Sequence, residues 1–417
     1  MELRHARHDV RREPRLMDAR EERGVAIARR GGIQSVGRVW QVPSQSTASA
    51  YVVSLHERTC SCPDHELRGA KCKHLFAVEY FVKWRRELDG TVTETRRVRL
   101  TYSQNWPAYN EAQTREKERV AELLRGLCAG IVQAPQVGRG RPRLPLSDVT
   151  FSAVMKVYST FSGRRASSDL RECEAKGLVD AAPHYNSIFR YLESPSLTPI
   201  LTALVEESAG PLSAVETDFA VDSSGFSTST YARYFDHKYG RVRSEHAWVK
   251  AHITTGVKTN VVAAAKITEG YDADCPELPA LIATTAKRFP VVEVSADKAY
   301  LSNDNLAAIQ SVGAVPFIPF KSNSRRDTGS ELWRRMFYFF HYERPKFLEH
   351  YHKRSNVEST FSMIKRTLGG AVRSKIPVAQ RNEVLCKLVA HNLRVLVSAI
   401  YEFGIEPTFW NVSQAAQ

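Results

Sequence analysis

The sequence lacks the features that would place it in a membrane or outside the cell. No stretch reaches the roughly 18 to 20 consecutive apolar residues that a transmembrane helix needs. The N-terminal segment mixes acids with bases and has no apolar core, so it is not a secretory signal. Seven cysteines, an odd number in a long chain, argue against a disulfide framework. These absences indicate a reducing compartment: the cytoplasm, at the nucleoid, if the source is bacterial.

Acidic residues are scarcer than basic ones. Lys and Arg number 59 against 45 Asp and Glu, which gives a formal net charge of +14. A polyanion is the expected partner, because basic groups that neutralise phosphates release condensed counterions. With 417 residues the chain is too long for one compact core, and we expect two or three folded units.

Composition and periodicity divide the chain into six regions. The predicted boundaries are 1–35, a basic N-terminal arm; 36–95, a small cysteine-containing module; 96–145, a helical and basic linker; 146–205, helices compatible with a DNA-binding helix-turn-helix; 206–370, a strand-rich domain; and 371–417, C-terminal helices. The pattern therefore predicts an α/β protein with helical DNA-binding segments and a small separate module.

Three cysteines and one histidine cluster in the module with the spacing C-x-C-x9-C-x-H. These residues are Cys60, Cys62, Cys72 and His74. Three thiolates and an imidazole satisfy tetrahedral Zn²⁺ without an open position, which predicts a structural zinc site. Asp64 and His65 lie inside the loop as competing ligands, but the paired spacing favours His74. The residues resemble the SWIM zinc finger, which implies a zinc-bound ββα module and leaves open whether it binds DNA or protein.

Apolar strands and acidic residues alternate in the strand-rich domain. Five candidate strands follow residue 212, and a helix is predicted between the last two. Asp222 lies in an apolar strand that runs into a Ser/Gly turn, and Asp297 ends another. Glu358 falls on a predicted helix. Carboxylates on rigid elements are the ligands that Mg²⁺ needs, although Asp218 competes with Asp222 on the same strand.

The helix that carries Glu358 has a longer pattern, Y-x2-R-x3-E-x6-K. Its members are Tyr351, Arg354, Glu358 and Lys365. The last three share one broad helical face, so two cations suited to DNA phosphates flank the glutamate. With the segments around Asp222 and Asp297, this pattern resembles the IS4-like DDE transposases and their YREK motif.

The resemblance implies an RNase H-like fold, with a mixed five-stranded sheet flanked by helices. It also implies a metal-dependent DNA endonuclease and strand transferase that cleaves transposon ends and joins them to target DNA by attack of a 3′-hydroxyl. Asp222, Asp297 and Glu358 carry over as ligands of two Mg²⁺ or Mn²⁺ ions. Tyr351, Arg354 and Lys365 carry over as DNA-positioning groups. Only about thirty residues separate the last strand from Tyr351, which leaves the cleavage route open.

A basic segment precedes the helical region. Arg139, Arg141 and Arg143 in GRGRPRLP resemble an AT-hook core that lies in a narrow minor groove. The expected partners are double-stranded DNA, at transposon ends and target, and further copies of the chain, because two ends must be held together. The alternatives are a domesticated, non-transposing DNA-binding protein and a nuclease of the same fold.

Overall fold

In the computed structural model, residues 19–37, 39–45, 49–69, 71–85, 105–136, 138–139, 142–228, 238 and 248–410 are described. The chain forms two compact units, residues 1–104 and 105–417. Each unit has a hydrophobic core of its own.

The N-terminal unit contains an antiparallel sheet in the order β1-β2-β3-β4. Its elements are α1 (Ala19–Arg30), β1 (Gln34–Val36), β2 (Val39–Pro43), β3 (Ala50–Ser54), β4 (Thr59–Cys60), α2 (Pro63–Arg68) and α3 (Lys73–Arg85). The sequence predicted two strands over 36–58, where β2 and β3 lie; the structure adds the short strands β1 before them and β4, which ends at Cys60. Pro63 begins α2, and Gly69 ends it in the left-handed conformation at φ 63°.

Helix α1 packs one face against the core of this unit. The sequence placed these residues in a basic arm. Ile27 is buried in the same core cluster as Leu75 and Val78 of α3. The two helices approach closely at Gly24, where an added Cβ would lie 2.5 Å from the Cβ of Phe76. A residue larger than glycine would therefore push the helices apart.

The second unit begins with six helices. They are α4 (Trp106–Thr114), α5 (Glu116–Cys128), α6 (Leu146–Tyr158), α7 (Gly163–Ala175), α8 (Tyr185–Leu192) and α9 (Leu197–Ala209). The sequence predicted the three helices α6 to α8 with a break at 162–165. In the structure the break covers 159–162, and residues 163–165 already belong to α7. Ser162 caps this helix by accepting a hydrogen bond from the backbone N–H of Arg165.

The five-stranded mixed sheet predicted from the sequence is confirmed. Its strands are β5 (Asp218–Ser227), β6 (Trp248–Gly256), β7 (Val262–Glu269), β8 (Glu293–Ala296) and β9 (Val315–Phe317). The order is β7-β6-β5-β8-β9, with β5, β6 and β7 antiparallel and β8 and β9 parallel to β5. Within residues 248–410, two α-helices connect strands of this sheet: α10 (Leu278–Ala286), which the sequence did not predict, and α11 (Asn303–Ser311), which it did.

Four helices follow the sheet. They are α12 (Glu331–Tyr342), α13 (Arg344–Tyr351), α14 (Ser355–Leu368) and α15 (Pro377–Phe403). The sequence predicted one helix over 331–349. The structure has two helices that are separated at Glu343, because Pro345 lies in the first turn of the second. By length and composition α15 is apolar enough to span a membrane, although charged and polar residues interrupt its apolar runs. However, 78% of its most apolar window is buried inside the protein, as in a core helix.

Candidate active site and metal centre

The four predicted zinc ligands converge in the N-terminal unit. Cys60 ends β4, Cys62 precedes α2, and Cys72 and His74 lie at the start of α3. All four side chains are buried, and their ligand atoms lie within 4.8 Å of one another. The Nδ1 atom of His74 is 3.8 Å from Cys60 Sγ and 4.0 Å from Cys72 Sγ. Four ligand atoms bound to a tetrahedral zinc ion at about 2.0–2.3 Å would lie at nearly the same distances from one another.

The chemistry of this cluster also fits zinc. The Cys60 thiol donates a hydrogen bond to Cys72, which lowers the pKa of Cys72 and raises that of Cys60. A thiolate is thus favoured at one ligand position, as zinc binding requires. Asp64 does not join the cluster, because its carboxylate pairs with Arg20 at 3.3 Å and with Arg68 at 3.8 Å.

The two candidate catalytic aspartates lie on adjacent strands of the sheet in the second unit. The sequence predicted a Ser/Gly turn directly after Asp222, but residues 223–225 continue the strand and pair with β6. Asp222 is on β5, and Asp297 directly follows β8. The strands are parallel, and their register pairs Val221 with Ala296, so the next residue on each chain is an aspartate. The two aspartates are therefore neighbours at the point where β8 ends, while β5 continues to Ser227.

The structure separates Asp218 from Asp222, which the sequence left as competitors. Asp218 begins β5 and is paired in register with Glu293 at the start of β8. Its carboxylate accepts a hydrogen bond from Lys353 Nζ at 2.6 Å. Four residues of extended strand separate the two aspartates by about 13 Å. Only Asp222 lies next to Asp297.

Glu358 is connected to Asp222 through a guanidinium group. Arg354 donates from Nη1 to Asp222 Oδ2 at 3.1 Å and from Nη2 to Glu358 Oε1 at 2.5 Å. Burial raises the pKa of Asp222, and repulsion from the carboxylates of Asp297 and Glu358 raises it further. The three acids therefore share one electrostatic environment. Glu358 is the most accessible, with 57% of its side chain exposed, against 23% for Asp222.

The other two members of the YREK pattern point to the same region. Lys365 on α14 donates to Ser224 Oγ on β5 at 2.6 Å, and burial lowers its pKa. Tyr351 ends α13, and the Arg354 guanidinium lies 6.0 Å from the centre of its ring. Burial raises the pKa of Tyr351, and the charges of Asp297 and Glu358 contribute to the rise. The four residues thus surround the acids, although Arg354 lies in a 3-10 turn before α14.

The acidic donor set suits a hard divalent cation. Carboxylate oxygens are the ligands that Mg²⁺ and Mn²⁺ prefer. Among the described residues, only the Cys/His cluster brings three or more ligand atoms within 4.8 Å. The acids are farther apart than the zinc ligands, and the positive charge between Asp222 and Glu358 is that of Arg354.

The sequence reasoning missed a polar network on the opposite face of β5. Ser223 Oγ donates to Asp274 Oδ1 at 2.7 Å, and Lys250 Nζ donates to the same oxygen at 3.0 Å. His252 is buried, with Nδ1 3.5 Å from that oxygen. Burial lowers the pKa of His252. Lys250 and His252 lie on β6, whereas Ser223 and Asp274 lie on other segments, so no local spacing pattern links the whole network.

The predicted AT-hook residues lie in the connection between α5 and α6. Arg139 and Arg143 are exposed, and the backbone N–H of Arg143 donates to Gln136 at 2.9 Å. Arg141 lies outside the described residues. The two described arginines are accessible to a partner.

Comparison with protein families identifies two regions of the chain. Residues 213–393 match the transposase DDE domain, and this range contains all five strands of the large sheet. Residues 51–83 match the SWIM zinc finger, and this range contains all four clustered ligands. No curated protein matches the chain. The chain therefore carries a transposase DDE domain and a SWIM zinc finger with a zinc-type Cys3His site.

Proposed function

We propose that this chain is an IS4-like DNA transposase, which cuts the ends of a mobile element and joins the freed 3′-hydroxyl to target DNA. The DDE domain match supports a transposase function. The observation that carries the proposal is the register of β5 with β8, which brings Asp222, in the middle of β5, next to Asp297 at the end of β8, with Glu358 connected to Asp222 through Arg354.

In this proposal Asp222, Asp297 and Glu358 hold two Mg²⁺ or Mn²⁺ ions. When bound, such ions activate the attacking oxygen and stabilise the leaving oxygen of a phosphodiester. The strands fix the two aspartates, whereas the exposed Glu358 side chain on α14 is the ligand with most freedom to adjust. Burial of Asp222 strengthens its interaction with a cation, because the site is poorly solvated.

The cations around the acids position DNA. Arg354 and Lys365 lie on the side of β5 that carries Asp222, where they can bind phosphate oxygens as the backbone approaches the carboxylates. The Tyr351 hydroxyl adds a hydrogen-bonding group at the same place. The arginines at 139, 141 and 143 extend the contact outside the site.

The proposed partners are double-stranded DNA and further copies of the chain. The net charge of +14 favours binding to phosphates. Two transposon ends must be cut together, which requires more than one catalytic domain. In a bacterial cell the protein would act at the nucleoid.

The proposal is tested with DNA that carries the inverted repeats flanking the chain's own gene. With Mg²⁺ or Mn²⁺, the purified protein should nick this DNA and join the ends to a target plasmid. Asp297→Ala and Glu358→Gln should abolish both reactions while leaving DNA binding intact. Glu349→Gln, at an exposed carboxylate on α13, is the matched control and should retain activity.

The remaining outcomes identify the alternatives. Nicking without joining would assign a nuclease of the same fold. Binding without metal-dependent nicking would assign a DNA-binding protein descended from a transposase. Full activity in both the Asp297 and Glu358 variants would contradict the proposed site.

A further inference from the structure

The two strands that carry the candidate catalytic aspartates share a short acidic pattern. On β5, Asp218 precedes Asp222 by four residues, and on β8, Glu293 precedes Asp297 by four residues. Residues four apart on a strand face the same side. The register pairs Asp218 with Glu293. The sheet therefore carries two acidic pairs on one face. The lower acidic pair is Asp218 and Glu293, and the upper acidic pair is Asp222 and Asp297 at the candidate active site.

Two consecutive residues of the turn before α14 contact different pairs. Lys353 donates to Asp218 Oδ2 at 2.6 Å and to Glu293 Oε2 at 2.7 Å. Arg354 donates instead to Asp222, in the upper acidic pair. His350 Nδ1 lies 2.8 Å from the second carboxylate oxygen of Glu293, which fixes the end of α13 to the same acid.

The lower acidic pair is well placed to hold the turn. Its carboxylates are only 26% and 18% exposed and Lys353 is 32% exposed, so water screens these ion pairs less than pairs at the open surface. Without Lys353 the two neighbouring carboxylates would repel each other. One lysine that bridges both strands neutralises this repulsion and ties the turn to β5 and β8 together.

The consequence concerns Arg354 and Glu358. The turn His352–Arg354 leads directly into α14, so the position of the turn sets where the helix begins. If the turn shifted, Arg354 would lose its reach to Asp222, and Glu358, one helical turn later, would move with it. A displacement of about 1 Å is enough to impair a catalytic arrangement.

We propose that Lys353, held by Asp218 and Glu293, is a positioning residue that fixes Glu358 relative to Asp222 and Asp297 without touching the reacting atoms. This inference rests on the proposed function of the acids. It assigns a role to a residue beside the YREK pattern, and to the two acids upstream of the aspartates.

The test measures Mn²⁺ binding to the full-length, zinc-loaded protein by the electron paramagnetic resonance signal of free Mn²⁺, subtracting the binding that remains in Asp297→Ala. Lys353→Met should weaken the Asp297-dependent binding roughly 10- to 100-fold, as loss of groups that orient metal ligands does. Lys353→Arg keeps the charge and the reach to both acids, and should restore most of the affinity. Lys346→Met, on α13, removes an exposed ion pair with Glu343 and should bind Mn²⁺ as the wild type does.

A cleavage assay separates positioning from a general structural role. Lys353→Met should cut more slowly at saturating Mn²⁺ while its affinity for DNA stays unchanged. If Lys353→Met does not fold, Asp218→Asn and Glu293→Gln, which each retain one ion pair, should show the same loss in smaller measure.

The two proposals fail in different ways. If wild-type protein has no Mn²⁺ site that depends on Asp297, the proposed function is contradicted, and the positioning role with it. If that site exists and Lys353→Met, or both single acid variants, bind and cut as the wild type does, only the positioning role is overturned. A loss that Lys353→Arg fails to rescue would also count against it.

Discussion

The two units of the chain hold their candidate metal ligands in different ways. In the N-terminal unit, four ligand atoms lie within 4.8 Å of one another, and the three cysteines are themselves part of its hydrophobic core. In the second unit, the acids of the candidate active site contact cationic side chains. Arg354 pairs with Asp222 and Glu358. The neighbouring Lys353 pairs with Asp218 and Glu293, which begin the two strands.

The difference follows from the size of the cores. Among the described residues, the buried cluster of the N-terminal unit has ten members, a small core that a metal ion is expected to reinforce. The second unit buries a large continuous core from α4 to α15, so its folding is expected not to depend on a metal ion. Zinc therefore belongs to the fold of the first unit, whereas in the second unit the side-chain cations stabilise the arrangement that a divalent ion is proposed to use.

The largest effect is expected from breaking the zinc site. Cys72→Ser should lose the bound zinc and unfold the N-terminal unit, because structural zinc contributes roughly 10 kcal/mol or more that is coupled to folding. Metal analysis of the full-length protein should find about one zinc equivalent in the wild type and none in the variant. Limited proteolysis should cut the variant within 71–85 and leave 142–228 and 248–410 protected.

The matched control is Cys275→Ser, which removes a half-buried thiol in the second unit. Asn305 donates to Cys275 Sγ at 3.3 Å, and a serine hydroxyl can accept in its place. This variant should retain zinc. A Cys72→Ser protein that keeps its zinc and its protease resistance would remove the contrast between the two units.

A smaller effect is expected from a buried cation in the second unit. Lys387 on α15 is 2% exposed and donates to the backbone carbonyls of Leu368, Gly369 and Ala371, where α14 ends. Lys387→Met should lower the free energy of unfolding by about 2 kcal/mol, because three carbonyls lose a charged donor. Denaturant unfolding measures the change, and Lys346→Met, at the surface, should leave the free energy nearly unchanged.

The same lysine gives a pH dependence of known sign. Burial lowers its pKa from 10.5 to about 8. Between these values the unfolded chain binds more protons than the folded chain, so this group makes the free energy of unfolding rise with pH. The rise should be present in the wild type and missing in Lys387→Met. A difference between the two proteins that stays constant from pH 7 to pH 10 would contradict a buried, titrating lysine.

The sequence predicted the large sheet well and the small one less well. The strands β5 to β9 follow continuous or alternating apolar runs, which period-2 patterning reveals. Helix α10 was missed because LPALIATTA is nearly all apolar and has no polar face. In the N-terminal unit, two- and three-residue strands such as β4 and β1 are too short for any periodicity to appear.

The residues of the candidate sites were also predicted unevenly from the sequence. Local spacing predicted the Cys3His cluster, which the structure brings together, and the pattern around Glu358, because those residues lie within one short segment each. The choice between Asp218 and Asp222 required the register of β5 with β8, which pairs residues seventy-five positions apart along the chain. Lys353 was overlooked because its role depends on that same long-range pairing. The acid-x3-Asp spacing, present on both strands, was the signal that could have revealed it.

The smallest expected effect tests whether the zinc site is limited to the four clustered residues. Asp64 lies in the loop between the two pairs of ligands but forms ion pairs with Arg20 and Arg68, and its side chain is 38% exposed. Asp64→Asn should therefore change the free energy of unfolding by no more than about 1 kcal/mol, as partly exposed ion pairs do. Its zinc content should equal that of the wild type, with Cys72→Ser as the zinc-free reference. Loss of zinc from Asp64→Asn would make this carboxylate part of the metal centre. The N-terminal unit would then, like the second, depend on an acid for its metal, and the contrast between thiolate and carboxylate sites would no longer separate the two units.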